Sequence, residues 1–263
     1  MKPYMPKFTA PKPAPKEEFR LGLASVSFRN NTQREILEAM RGAGLTHIEW
    51  GSDLHAPHKS LTMLAELAEM QKQYGIVCSS YGTYFRLGEN SSEDLLDYIK
   101  AAKLLGTRVL RVWAGRRCGA VLTLPETEKF MHACEDAAEI AEAENVKICL
   151  ECHLNTFTER LEDTLMLMDN VGTKHFGMYW QPLENLSREE NLNYLKKIEP
   201  YVENLHVLNC DRYGRHPLSD AVEDWRIYIS ALSRPRTMLL EFMPDDLLTT
   251  LPREAEALKK IIL

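Results

Sequence analysis

The sequence predicts an α/β protein of the closed (β/α)8 barrel class, and three observations carry that prediction. From residue 20 onward, eight short apolar or β-branched runs alternate with amphipathic stretches of helical character. Their spacing is about 30 residues per strand-helix unit, which matches a barrel of about 250 residues. Several runs also end on polar side chains of one parity, as barrel strands do when they open onto a common mouth.

In chain order the runs are "LGLASV" from Leu21, "HIEW" from His47, "GIVCSS" from Gly75, "RVLRVW" from Arg108, "VKICLE" from Val146, "FGMYW" from Phe176, "NLHVLN" from Asn204 and "TMLLEF" from Thr237. The helical stretches between them carry start and stop signals. Asn31 or Thr32 can cap "NTQREILEAMRGAG", which ends on Gly44; Ser91, with Asp94 three residues on, opens "SSEDLLDYIKAAKLLG", which ends on Gly106. A doubly wound sheet is the alternative, but the loop after its first strand would carry glycines for a phosphate, and here that loop reads "SFRNN". "RGAG" sits between a helix and the next strand, the wrong side for such a cradle. The start, "MKPYMPKFTAPKPAPKEEF", is rich in proline and lysine and has no apolar signal core. Residues 1–18 therefore read as a flexible arm and residues 19–263 as a single barrel domain.

Apolar residues at 44% and charged residues at 27% are ordinary for a globular protein, and no apolar run approaches the ~18 residues of a membrane span. A soluble chain without a membrane partner is expected. The formal charge of −6 and a pI of about 5.8 predict no nucleic-acid partner, since such binders usually present a basic face. Six cysteines scattered through a chain too large to need staples fit a reducing compartment, so a cytoplasmic location is expected. Cys149 and Cys152 make a CxxC spacing, yet on a strand they point to opposite faces and cannot share a metal.

Strand parity singles out the functional candidates. In "ICLECH" the apolar set Ile148, Leu150 and Cys152 suits the helix-facing side, which leaves Glu151 and His153 aimed at the mouth. The same alternation leaves Gln181 inward after Phe176, Met178 and Trp180, His206 inward between Leu205 and Val207, and Glu241 inward between Leu240 and Phe242. A lone polar residue at a strand end is usually just solvated, but four in matching register are a mixed oxygen and nitrogen set suited to Mn, Mg, Co or Zn.

These stretches resemble the xylose-isomerase-like superfamily of TIM barrels, the group of sugar-phosphate isomerases and epimerases, inosose dehydratase and endonuclease IV. The resemblance covers the chain after residue 18 and rests on "LGLASVSFR", "HIEWGSDLHAP", "SSYGTYFRLG", "LECHLNTFTE", "GMYWQP", "NLHVLN" and "LLEFMPDD". Ketose epimerases of that group hold a divalent metal with Glu, Asp, His and Glu from the last four strands. The resemblance thus implies Glu151, Gln181, His206 and Glu241 as the metal set, with Gln181 standing where the family has aspartate. A neutral amide is a poorer ligand than a carboxylate, so Gln181 serves either the ion or the substrate. Glu184 stands where the epimerases tend to have a histidine.

By the same resemblance, Glu151 and Glu241 would exchange protons with the carbons beside a sugar carbonyl, and His206 would be a plain ligand. His153, His55, Arg111, Trp113 and Tyr81 are candidates for contact with the substrate, as is Arg212, whose place in the family touches substrate oxygens. Tyr84 could wall the same pocket, and Glu49 and Arg111 could equally pair with each other inside the barrel. The expected activity is a metal-dependent isomerase or epimerase of a small sugar, sugar phosphate or polyol, on a chain that could form a homodimer. A lyase of the inosose dehydratase kind and a sugar-binding barrel without catalysis stay open. An endonuclease IV activity would need a larger ligand set and a phosphate-binding surface.

Overall fold

The computed structural model describes residues 18–263. Eight parallel strands close into a barrel: β1 (Arg20–Ala24), β2 (His47–Gly51), β3 (Val77–Arg86), β4 (Val109–Trp113), β5 (Lys147–Glu151), β6 (Phe176–Trp180), β7 (Val202–Val207) and β10 (Thr237–Leu240), which pairs back onto β1. Between β7 and β10 a two-stranded antiparallel hairpin, β8 (Cys210–Asp211) and β9 (Gly214–Arg215), projects from the mouth. The outer layer is α1 (Gln33–Ala43), α2 (Leu61–Gln73), α3 (Ser92–Leu104), α4 (Leu124–Ala143), α5 (Leu161–Val171), α6 (Arg188–Ile198), α7 (Val222–Ile229) and α8 (Leu251–Ile261). The predicted barrel is the observed one. The expected arm lies outside the described residues except for Glu18.

Local chemistry explains where the helices start and stop. Thr32 with Glu35, Ser91 with Asp94 and Ser187 with Glu190 form reciprocal capping boxes at α1, α3 and α6, each worth about 1 kcal/mol. Gly44 closes α1 in the left-handed region, where a side chain would be strained.

Alternation then sorts side chains between two cores. Ile148, Leu150, Cys152, Met178, Trp180, Leu205, Val207, Met238 and Leu240 face the helices and join one large buried cluster. Its heaviest knot is Trp180, Trp225 and Tyr228, packed edge to face at 5.0–5.7 Å between ring centres, each pair adding about 0.5–1.5 kcal/mol beyond area burial. Inside the barrel, Cys149, Tyr179 and Leu239 form a small apolar layer. Gly22 belongs here too: a Cβ on it would lie 2.2 Å from the His47 carbonyl oxygen, so the barrel closes only around a glycine. Two residues further along the same strands, Glu151, Gln181 and Glu241 replace the apolar layer. Glu49, Arg111 and His206 join them from β2, β4 and β7, and all six are buried.

The strands depart from the sequence reading in two places that matter for the site. The pairing of β2 with β3 slips between Ile48 and Glu49, so Cys78 and Ser80 follow one another in register and Ser79 is the extra residue. A one-residue slip reverses the faces of everything after it. At the other end, β10 stops at Leu240, and Phe242 adopts a left-handed φ of 57° that breaks the alternation.

Candidate metal centre and active-site cavity

The carboxyl ends of the strands surround a cavity of about 460 Å³, whose floor carries Arg111, Glu151, Gln181 and Glu241. His206 lies immediately beneath, fully buried. Its Nδ1 is 3.1 Å from Glu151 Oε1 and 3.3 Å from Glu241 Oε2. Ligand atoms of Glu151, His206 and Glu241 all lie within 4.8 Å of one another, close enough to converge on a single ion. Gln181, on the same floor, has a buried Oε1 without a hydrogen-bond partner. A carbonyl oxygen left unpaired at that depth is costly unless something else binds it. Two carboxylates, an imidazole and an amide oxygen make a donor set that fits a divalent cation with positions left open.

The electrostatics follow from burial in a crowd of charges. Burial would raise the Glu151 carboxyl, but the Arg111 guanidinium, whose Nη1 is 3.0 Å from Oε2, and His206 outweigh it and hold Glu151 well below the usual carboxylate range. For Glu241 burial prevails over the pull of His206, helped by repulsion from Glu151, and its carboxyl is pushed up. Burial opposes a charged His206, yet Glu241 and Glu49 more than offset it and raise its proton affinity well above the ordinary value. Glu49 is itself held below the usual range, because His206 and Arg111 override its burial.

The other sequence candidates divide. Trp113 and His153 line the cavity and pack edge to face, their rings 4.7 Å apart. The His153 Nδ1 donates to the Leu154 carbonyl at 2.7 Å, which leaves Nε2 for other partners. Arg111 also lines the cavity, pairs with Glu49 at 3.5 Å as the alternative reading had it, and lies 5.3 Å from the Trp113 ring centre.

Tyr81 is corrected. The β3 slip turns it toward the helices, where it is fully buried and its hydroxyl donates to the Ala56 carbonyl; Tyr84 lines the cavity in its place. His55 is also corrected. It is a buried strut, with Nε2 donating to the Asn31 carbonyl and Nδ1 accepting from Ser25 Oγ, each at 3.1 Å, and it does not line the cavity. Arg212 is exposed and its guanidinium stacks on the neighbouring Tyr213 ring. The residue that returns to the cavity is Arg215, because Asp211 accepts the backbone N–H of Tyr213 and Gly214 and so tightens the hairpin turn.

Two further cavity residues escaped the sequence reading. Phe242, assigned to the helix-facing set by alternation, is swung into the cavity by its left-handed backbone, and the Arg215 guanidinium lies 4.2 Å over its ring. Arg29 lines the wall beside Tyr84, donating to its hydroxyl at 2.6 Å and pairing with Asp53. No strand pattern marks Arg29, which lies just beyond the 3₁₀ turn Ser25–Phe28.

The fold agrees with comparisons to known proteins. Among curated proteins none matches the chain. Solved structures that resemble it include the probable 3-DHS dehydratase AsbF from Bacillus anthracis, at 17% identity and a TM-score of 0.73, covering 92% of this chain and 99% of that one. A xylose isomerase-like TIM barrel protein from Mycobacterium smegmatis, in complex with magnesium, is 13% identical with a TM-score of 0.68 over 93% and 97% of the two chains. The 3-keto-D-glucoside 4-epimerase YcjR from E. coli is 11% identical with a TM-score of 0.64 over 93% and 99%. At such identities the likeness is one of fold. The family model described as xylose isomerase-like TIM barrel matches residues 37–259, nearly the whole barrel, and the chain belongs to that family.

Proposed function

We propose that the chain is a metal-dependent isomerase or epimerase of a small sugar, sugar phosphate or polyol that moves a proton beside a carbonyl. The observation that carries this reading is the pair of carboxylates on the cavity floor, Glu151 and Glu241, which share His206 at 3.1 and 3.3 Å while their environments drive their proton affinities apart. Two titratable groups separated in this way are what acid-base chemistry at one carbon framework needs. Glu151, Gln181, His206 and Glu241 would hold Mn, Mg, Co or Zn, and a bound ion supplies Lewis acidity toward the carbonyl oxygen. Glu151, kept ionised by Arg111, takes the proton from the substrate carbon. Glu241, the carboxyl of higher proton affinity in the metal-free site, would exchange a proton with the substrate on the other side. Trp113, His153 and Phe242 line the cavity as ring-shaped surfaces for a sugar, and its volume of about 460 Å³ lies in the usual range for small-ligand sites.

A lyase is the second reading, favoured by the likeness to a barrel described as a dehydratase. It begins with the same proton removal and ends by expelling a hydroxyl from the next carbon. Both readings are tested by incubating metal-loaded protein in deuterated water with a panel of ketoses, ketose phosphates and inososes. Deuterium gained with the carbon skeleton intact supports the isomerase or epimerase; loss of the elements of water supports the lyase. No exchange into any member with any of the four metals would sink both.

A further inference from the structure

Glu49 plays no part in the chemistry above, yet it touches both groups that hold the candidate ligands. One oxygen, Oε1, lies 3.4 Å from His206 Nε2 and 3.5 Å from Arg111 Nη2, while Oε2 accepts from Ser80 Oγ at 3.0 Å. Arg111 in turn holds Glu151 Oε2 at 3.0 Å, and the His206 ring presents Nδ1 to Glu151 and Glu241. The contact is made possible by Gly82: a Cβ there would lie 2.5 Å from Glu49 Oε1 and 3.0 Å from Arg111 Nη2. Tyr179 closes the side of the imidazole, edge to face at 5.0 Å, so the ring is fixed laterally by packing and along its Nδ1–Nε2 direction by carboxylates at both ends.

Charge tells the same story. Glu49, Arg111, Glu151, His206 and Glu241 have side chains no more than 5% exposed. Three carboxylates and one guanidinium leave two negative charges uncompensated when His206 is neutral, as a metal ligand must be. An uncompensated buried charge is expensive, and a divalent ion supplies what is missing.

Resting on the metal-centre reading above, we propose that Glu49 is a positioning residue for that centre: it faces the Nε2–H of His206, so that Nδ1 is the ligand atom, and through Arg111 it fixes the orientation of the Glu151 carboxylate. Carboxylates behind ligating histidines typically change metal affinity by about 10- to 100-fold. The test measures Mn²⁺ affinity by calorimetry on chelator-stripped protein, alongside the melting temperature of the metal-free chain. Glu49→Gln is expected to weaken Mn²⁺ binding by about 10- to 100-fold without lowering the metal-free melting temperature, because the isosteric amide keeps an oxygen toward Arg111 and can donate to Ser80 Oγ in place of accepting from it. Gly82→Ala, which displaces Glu49 but keeps its charge, is expected to weaken binding as well. In the Zn²⁺-loaded wild-type chain, imidazole ¹⁵N NMR should place the His206 proton on Nε2. Affinity and metal-free melting temperature falling together in Glu49→Gln would make Glu49 merely structural. Wild-type affinity in both variants, or a His206 proton on Nδ1, would also overturn the assignment while leaving the centre intact. A wild-type chain that binds no Mn²⁺ would overturn the centre itself.

Discussion

The two halves of the barrel carry different parts of the site. β5, β6, β7 and β10 contribute the groups that could bind an ion, Glu151, Gln181, His206 and Glu241. β2, β3 and β4 contribute Glu49, Gly82 and Arg111, which would touch no ion but fix the charges and orientations of those that do. One half supplies lone pairs and the other sets their environment. Changes in the second half, β5 to β10, should therefore abolish metal binding and chemistry while leaving a folded barrel, and changes in the first half, β2 to β4, should appear in stability or in metal affinity.

The largest effects belong to the second half. Glu241→Gln and Glu151→Gln should each lower solvent deuterium exchange into a bound ketose by roughly 10²–10⁴-fold, the usual contribution of a positioned acid or base. Exchange that survives both would sever the second half from the chemistry. Arg111→Met is the matching lesion in the first half. It strips Glu49 and Glu151 of their shared cation inside the barrel, and breaking a buried pair by removing one partner costs about 3–5 kcal/mol. Urea unfolding of the metal-free variant should show that loss, and Mn²⁺ should stabilise the variant more than it does the wild type. A loss below about 1 kcal/mol, the range of exposed ion pairs, would mean that Arg111 is not holding the floor together.

This division also explains what was legible in the sequence. On β5 and β6, and on β7 beyond a one-residue slip at Glu203, side chains alternate up to the residues of interest, so helix-facing Leu150, Trp180 and Val207 were enough to point Glu151, Gln181 and His206 inward. The first half is irregular. The extra residue at Ser79 sent Tyr81 outward and brought Ser80 onto Glu49, and no local composition signals such a slip. Loops were the least readable part. Arg212 and Arg215 are equally polar and three residues apart, and only the turn drawn by Asp211 decides which one reaches the cavity. Phe242 obeyed alternation in the sequence and violated it in space, because the strand stops at Leu240 and its own backbone turns left-handed.

The pH dependence of metal binding tests the floor itself, because its buried groups push protons in opposite directions. His206 and Glu241 hold protons more tightly than usual in the metal-free site, whereas Glu49 and Glu151 hold them less tightly. Ligands must shed their protons to bind a cation, so Mn²⁺ affinity should rise with pH through neutrality, by up to about tenfold per unit for each proton expelled. Calorimetry in buffers of different ionisation heat reads the protons released. Affinity that is flat across that range would mean the floor is already proton-free, and the crowding of carboxylates on His206 would then lack the consequence assigned to it.

The smallest effect is expected at the rim, where the halves meet. Arg215 stacks on Phe242 and pairs with Asp246, and its side chain is 35% exposed, so water screens what it offers a substrate. Exposed charge contacts are worth about 0.2–1 kcal/mol, which bounds Arg215→Gln at roughly a fivefold rise in KM with kcat unchanged. Arg29, paired with Asp53 on the β1 side and 43% exposed, should behave alike. Steady-state kinetics on the sugar identified by deuterium exchange measure both. A rise in KM well beyond tenfold for Arg215→Gln alone would show that the hairpin closes over the substrate and removes that guanidinium from water, which would make β8–β9 a third functional region beside the two halves of the barrel.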